Sequence, residues 1–267
     1  MNNLKFTLAK IFMKTIGQTS DGIRLCYKEG LTSGKMLDYI YRNQPSGRLI
    51  IGKSIDRTFL NDSGWEAVRT RRENIEKLLV ELIENLREEK RSVFLFDIAS
   101  GPADYILSVL EKVKSSDIQA FCQDYEARWV EEGKRKAEER HIKNIRFQQG
   151  DAFNRAALLK ITPRPNVAVS SGFYDWFTDD TKIIESMRIV FDMLEPGGYF
   201  VLSNQMGHPK LEFTQAVFTD FNHKPLQMTM RSKEKVSKWL EEIGFHIDQV
   251  LVDDHGYYSV LKASKPR

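Results

Sequence analysis

HIDQVLVDDHGYYSVLKAS, residues His246 to Ser264, holds two strand-like runs with little more than the His255–Gly256 pair to separate them. No helix fits in that gap, so the runs must pair as an antiparallel hairpin at one edge of a sheet. Upstream the pattern differs. SVFLFDIAS (92–100), IQAFCQD (118–124), NIRFQQGDA (144–152), PNVAVSSG (165–172) and EPGGYFVLSNQ (195–205) read as short, mostly apolar strands. Helical stretches alternate with them, among them ADYILSVLEKV, EARWVEEGKRKAEERH and TDDTKIIESMRIVFDML, the last with Thr178 or Asp179 near its start. SKEKVSKWLEEIGF follows the fifth strand, opening on Ser232 as N-cap and closing on Gly244. Such alternation predicts an α/β fold with a parallel sheet covered on both faces, to which the hairpin adds antiparallel strands.

Residues 1–90 lack a convincing strand. TSGKMLDYIYRN predicts a helix capped by Ser33, NQPSGR a turn, and NDSGWEAVRTRRENIEKLLVELIENLREEKR one long amphipathic helix. The organisation expected is a helical segment over 1–90 and an alternating domain over 91–267. At the N-terminus Leu4, Leu8, Ile11, Phe12 and Ile16 follow helical spacing, with Lys5, Lys10 and Lys14 between them. This stripe is expected to pack on the protein itself; a lid over an apolar substrate or a membrane-surface helix are the alternatives. The lysines and the missing small-residue cleavage site argue against a signal peptide, and no run is long and apolar enough for a transmembrane helix.

Forty basic and 37 acidic residues give a formal charge of +3, a mixed surface that argues against nucleic acid as partner. The apolar content of 41% is enough for a sizeable core. Cys26 and Cys122 make neither a disulfide framework nor a metal-ligand pair, so reduced thiols and a cytoplasmic location are expected. No His/Cys/Asp spacing calls for a metal, and there is neither a phosphate-binding GKS/T loop nor a Gly-x-Ser-x-Gly turn.

In an open parallel sheet, ligands bind beyond the C-terminal strand ends. The first strand ends at Asp97, and the loop that follows, DIASGPAD, keeps one glycine, Gly101, with Ala99 and Ala103 where dinucleotide loops often carry glycine. The added methyl groups disfavour a pyrophosphate and so disfavour NAD. The second strand ends at Asp124, placed to accept both hydroxyls of a ribose. The third ends at Asp151, able to accept from an adenine amine with Ala152 and Phe153 beside the ring, and the fourth runs into Ser171 and Gly172.

In that order, the strand with DIASGPAD, the strand with QDYEAR, then QGDAF, LEPGGYFVLSN and the closing hairpin resemble the class I S-adenosylmethionine-dependent methyltransferases, over roughly residues 91–267. The resemblance implies a Rossmann-like, seven-stranded, mostly parallel sheet whose last strand is antiparallel. It also implies S-adenosyl-L-methionine as cofactor. Asp97, Ala99, Ser100 and Gly101 would contact its methionine portion, Asp124 its ribose, Tyr125 its adenine face, and Asp151 with Ala152 or Phe153 its base. The front segment GKSIDRTFLNDSGWEAVRTRR is similar to a bacterial methyltransferase subfamily carrying GW-x-x-[IV]-R-x-R, matched here by Trp65, Arg69 and Arg71. That subfamily includes enzymes that make fatty-acid methyl-ester signals, which implies a small, apolar acceptor.

An arginine fork suits the cofactor's carboxylate, and Arg69 is the favoured candidate. Arg69, Arg71 and Arg72 could equally pair with Glu66, Glu73 or Glu76 on the helix surface. Trp65 is read first as a core aromatic, with the cleft as alternative. Tyr174 and His208, after the fourth and fifth strands, are the catalytic candidates, while His223 and His255 sit in later loops. SSGFYDWF, including Trp176, suits an apolar or cationic acceptor pocket and would serve equally well as core. The rivals to small-molecule O-methylation are RNA or protein methylation and a catalytically silent S-adenosylmethionine-binding module.

Overall fold

Alternation in the first strand builds a two-faced core. The computed structural model describes residues 2–114 and 117–267. In β1 (Val93–Asp97) every residue is buried. Val93 and Leu95 join one apolar cluster, with Val109, Ala120, Val167 and Val201, while Phe94 and Phe96 join the other, with Phe121, Ala168, Phe200 and Leu261. Successive side chains thus feed opposite faces of a sheet covered on both sides.

The remaining strands are β2 (Ile118–Asp124), β3 (Ile145–Gln149), β4 (Val167–Ser170), β5 (Tyr199–Gln205), β6 (His246–Val252) and β7 (Tyr258–Ser264). Their spatial order is β3-β2-β1-β4-β5-β7-β6. All pairs from β3 to β5 are parallel, and β7 runs antiparallel to both β5 and β6. The closing hairpin forms the sheet edge that its short connection required, and the chain has the seven-stranded Rossmann-like fold. Because order reverses between β1 and β4, the crevice for a ligand lies past their C-terminal ends.

Two units divide the chain. One comprises residues 1–69 and 208–228, the other 70–207 and 229–267. The expected boundary at residue 90 is corrected, for a physical reason. The long helix over Ser63–Glu88 places Ile75, Leu78, Leu79, Leu82, Ile83 and Leu86 in the cluster that covers the sheet, so most of it is sheet-packing helix. A buried Glu76 fastens it, bridging Arg72 at 2.6 Å and Lys112 at 2.7 Å.

The first unit is built from α1 (Asn2–Lys14), α2 (Asp21–Glu29), α3 (Gly34–Arg42), α4 (Leu49–Leu60), the start of the long helix α5, and a returning segment with a short helix over Leu211–Val217. Ser20 and Ser33 cap α2 and α3 by accepting from the amides of Ile23 and Met36. The N-terminal stripe is also corrected. Leu4, Leu8, Ile11, Phe12 and Ile16 are all exposed, whereas the half-buried face of α1 is Phe6, Ala9 and Met13, with Phe6 against Phe213 at 6.4 Å. Both sides of this helix are apolar, and only one is covered.

In the second unit, helices over Asp104–Val113 (α6), Ala127–Glu139 (α7), Arg155–Leu158 (α8) and Asp180–Met193 (α9) connect the parallel strands. Asp179 caps α9. The returning Leu211–Val217 helix is α10, and Lys233–Ile243 is α11, capped by Ser232 and ended at Gly244 with φ 119°. No described helix is long and apolar enough to cross a membrane.

Candidate cofactor site

Strand β1 delivers Asp97, fully buried, to the sheet's C-terminal edge. Its Oδ2 accepts from the hydroxyl of Tyr105, the second residue of α6, while its Oδ1 has no hydrogen-bond partner. Burial is the main reason that its pKa is pushed up to about 7; the Tyr105 hydrogen bond opposes the shift and the neighbouring Asp124 adds to it. A buried, half-satisfied carboxylate is costly unless a cationic or donor group completes it.

The loop after β1 is held to the end of β2 through its own backbone amides. Ser100 N–H donates to the Gln123 carbonyl at 2.9 Å, and Gly101 N–H donates to Asp124 Oδ2 at 2.7 Å. Gly101 has φ 54°, and a Cβ added there meets no atom within 4 Å, so the turn opens onto free space. Ala103, at φ 56°, takes the same left-handed conformation without being glycine. The glycine-poor turn therefore forms, with its backbone bent over an open cradle.

Asp124 accepts a second amide bond, from Glu126 N–H at 2.9 Å, through its other oxygen. Burial raises its pKa and these two amide bonds hold it down. Each oxygen keeps a lone pair for a ligand hydroxyl. Beside it Tyr125 exposes 69% of its surface, an aromatic face without cover. At the end of β3, exposed Asp151 accepts from Phe153 N–H at 2.9 Å, Ala152 is buried, and Phe153 packs against Phe173 at 5.6 Å and Phe177 at 5.1 Å. Past β4, Ser171 is half-buried, and Gly172 takes φ 71° while its N–H donates to Ser203 Oγ at 2.8 Å. Asp97, Ala99, Ser100, Gly101, Asp124, Tyr125, Asp151, Ala152, Phe153, Ser171 and Gly172 thus all sit at the C-terminal ends of β1 to β4 within one unit.

Three expectations change. Arg69 belongs to the first unit and donates to the Leu60 carbonyl that ends α4, at 3.1 Å. The arginine at the strand ends is Arg71: it is buried, its Nη1 lies 2.8 Å from where a Gly172 Cβ would stand, and its guanidinium covers the Tyr258 ring at 4.9 Å. Helical phase carries the signal for it, because Arg71 lies four residues from both buried Ala67 and buried Ile75. Tyr174 is a core residue, 4% exposed, its hydroxyl paired with Ser186 at 3.2 Å and its phenol pushed up by burial. Such a group packs the sheet against α9. His208 belongs to the first unit; its Nδ1 accepts from Lys210 N–H at 3.1 Å, and burial lowers its pKa against the opposing charge of Asp62. Trp65 is half-buried against Phe59, within the same unit.

One cluster was not expected from the sequence. Asp175, buried just past β4, accepts from Gln205 N–H at 2.9 Å, and burial pushes its pKa up to about 6 despite that bond and the positive charges of Arg71 and Arg231. Arg231 in turn grips Asp180 at 2.8 Å and the carbonyls of Tyr174 and Phe177. This network fixes the turn that carries Phe173, Trp176 and Phe177, of which Trp176 is 41% exposed.

Comparison with known proteins agrees with the architecture. A protein from Bordetella parapertussis, described as a "possible exported protein", superposes with a TM-score of 0.68 at 20% identity, over 88% of this chain and 80% of its own. Magnesium protoporphyrin IX methyltransferase from Synechocystis PCC 6803, solved with bound SAH, gives a TM-score of 0.59 at 12% identity, over 89% and 98%. These likenesses concern the fold. The uncharacterized protein YnbC of Escherichia coli (strain K12) is 32% identical over 264 residues, 98% of this chain; the chain spans 45% of that relative's length. Residues 1–265 match the family described as "Putative methyltransferase", and the chain belongs to that methyltransferase family.

Proposed function

We propose that the chain is an S-adenosylmethionine-dependent methyltransferase that O-methylates a small apolar acid, of fatty-acyl or similar type, or a hydroxylated metabolite, in the cytoplasm. The observation that carries the cofactor reading is the buried Asp97 with one unpartnered oxygen beside the open turn at Gly101. S-adenosylmethionine is the cofactor whose groups fit: an ammonium for Asp97, ribose hydroxyls for Asp124, and an adenine for Tyr125, Asp151 and Phe153. When bound, it supplies an electrophilic methyl group on a sulfonium.

The chain's own residues have three tasks. Asp97 and the Ser100–Gly101 backbone hold the amino-acid end, and Arg71, in place of Arg69, is the fork for its carboxylate. Asp124 fixes the ribose, with its carboxylate pre-oriented by two amides. Phe153, Phe173 and Phe177, with ring centroids 5.0–5.6 Å apart and Phe177 edge to face with the other two, supply an apolar wall that excludes water and orients an apolar acceptor. A carboxylate acceptor is ionised at neutral pH and needs no base, which suits strand ends where Tyr174 is sealed in the core.

Calorimetry tests the cofactor first. S-adenosylmethionine should bind and NAD should not; heat with neither removes the assignment. Asp124→Ala is expected to weaken binding by about 1–3 kcal/mol, through the lost ribose bonds, and unchanged affinity takes Asp124 out of the site. For Arg71 the informative ligand is decarboxylated S-adenosylmethionine. The wild type should prefer the intact cofactor by about tenfold or more, the worth of a charge-assisted fork. Arg71→Ala should erase that preference and Arg69→Ala should keep it; a preference retained in Arg71→Ala limits Arg71 to supporting Asp175. Tritium transfer from labelled cofactor into fatty acids, phenols, RNA and cell extract tests the acceptor. Label in RNA alone overturns the small-molecule reading.

A further inference from the structure

Eight of the twelve large apolar side chains exposed among the described residues fall in two short segments of the first unit. Four stand on the outer side of α1: Leu4, Leu8, Ile11 and Phe12, exposed by 42–68%. Ile16 follows in the next turn, and Leu49, Ile50 and Ile51 open α4 with 63–88% exposure. The segments are neighbours. Arg48 N–H donates to the Thr19 carbonyl at 2.8 Å, and Ser20 and Gly47 form an antiparallel bridge. Soluble proteins rarely leave apolar side chains so concentrated without a partner.

Within the two segments themselves the charge has one sign. Residues 1–20 and 43–55 contain no aspartate or glutamate, but they contain Lys5, Lys10, Lys14, Arg48 and Lys53, all exposed. On an α-helix with 3.6 residues per turn, Lys5 borders the exposed stripe of α1 on one side and Lys10 and Lys14 on the other. Long lysine stems can lie along an apolar surface while the ammonium groups reach out to phosphates. An apolar strip between cations, free of acids, is complementary to one surface in particular: acyl chains beneath anionic headgroups.

We propose that this face of the first unit docks on an anionic lipid surface, with the outer stripe of α1 and the Leu49–Ile51 corner entering the headgroup layer. Docking is peripheral, since α1 has only 13 residues and cannot span a bilayer. The proposal does not depend on the methyl-transfer reading and is tested without cofactor.

Flotation of the whole chain with vesicles decides it. Vesicles containing phosphatidylglycerol should carry the protein at low salt, and vesicles of phosphatidylcholine alone should carry far less. Each basic residue near an anionic surface is worth about fivefold in partition, so Lys5→Gln, Lys10→Gln and Lys14→Gln together should weaken binding by about tenfold or more. Leu8→Ser with Ile50→Ser should weaken it by a similar factor through lost apolar insertion. Both sets alter exposed positions, so unfolding curves should match the wild type, and the wild-type measurement stands even if one set misfolds. No flotation overturns the proposal, as does equal binding to both vesicle types. A dimer in sedimentation velocity that Leu8→Ser with Ile50→Ser dissociates, in a chain that ignores vesicles, assigns the face to a second copy and overturns the lipid reading.

Discussion

Asp56→Ala is expected to destabilise the first unit by about 3–5 kcal/mol, a large share of what holds a domain together. Asp56 lies on α4 with no exposed surface and accepts four hydrogen bonds. Oδ1 takes the Ser20 hydroxyl at 2.6 Å and the Gly22 amide at 2.7 Å; Oδ2 takes the Ser46 amide at 2.9 Å and the Tyr39 hydroxyl. One carboxylate thereby joins the start of α2, helix α3 and the turn before α4, and its charge lies at the N-terminus of α2, where the helix dipole favours it. Burial, with the Asp56 hydrogen bond second, pushes the Tyr39 phenol up to about 12, so it remains a donor throughout the neutral range. Alanine leaves buried donors facing a void at about 1–3 kcal/mol each, partly relieved where water enters. Asparagine should fare little better, since its amide N–H₂ meets two donors. A chain of two units need not unfold in one step, so the reporter should be local: hydrogen exchange at Gly22 and Ser46 should accelerate while exchange in β1 and β4 is retained. An Asp56→Ala chain with wild-type exchange at both amides would show that the knot contributes nothing.

Much of the sheet could be read from the sequence, because each strand is a short apolar run and each crossover a helical period, while the hairpin allowed only one kind of pairing. The candidate residues at the ends of β1 to β4 were chosen from that topology. The features that escaped have a common physical cause. Asp56 stands in a polar run, SIDR, that looks like a solvated helix face; its burial is created by partners 10 to 36 residues away. The stripe on α1 was legible as apolar, but periodicity cannot say which of two apolar sides finds a partner. Tyr174 and Trp176 are two residues apart in one aromatic run, yet the first is sealed in the core and the second open to solvent. Local sequence sets the composition of that turn, whereas Gln205 and Arg231, from distant parts of the chain, fix its conformation by binding Asp175 and the carbonyls of Tyr174 and Phe177.

Asp97→Asn is expected to stabilise the ligand-free protein at pH 8 while weakening its hold on S-adenosylmethionine. The ordinary aspartate pKa of 3.8 is pushed up to about 7 in the folded chain, chiefly by burial. Between those values the folded state binds a proton that the unfolded state has released. Stability from this group is therefore complete below the unfolded value, declines as pH rises, and is lost once pH passes about 7. The decline amounts to something on the order of 4 kcal/mol. An asparagine of the same shape carries no charge at any pH, so the difference in unfolding free energy between variant and wild type should be small near pH 4 and grow to about 2–4 kcal/mol at pH 8. Affinity should move the other way. An ammonium beside the orphan oxygen needs the ionised carboxylate, so wild-type binding should strengthen as pH rises through 7. The variant should bind about 10–100-fold more weakly at pH 8, the worth of a charged hydrogen bond, and show a flatter pH profile. A charge that burdens the empty fold and is relieved by a cationic ligand belongs to a binding site. If the stability difference is constant from pH 4 to 8 and the variant keeps the wild-type slope of affinity with pH, Asp97 is a packing residue and the ammonium lies elsewhere.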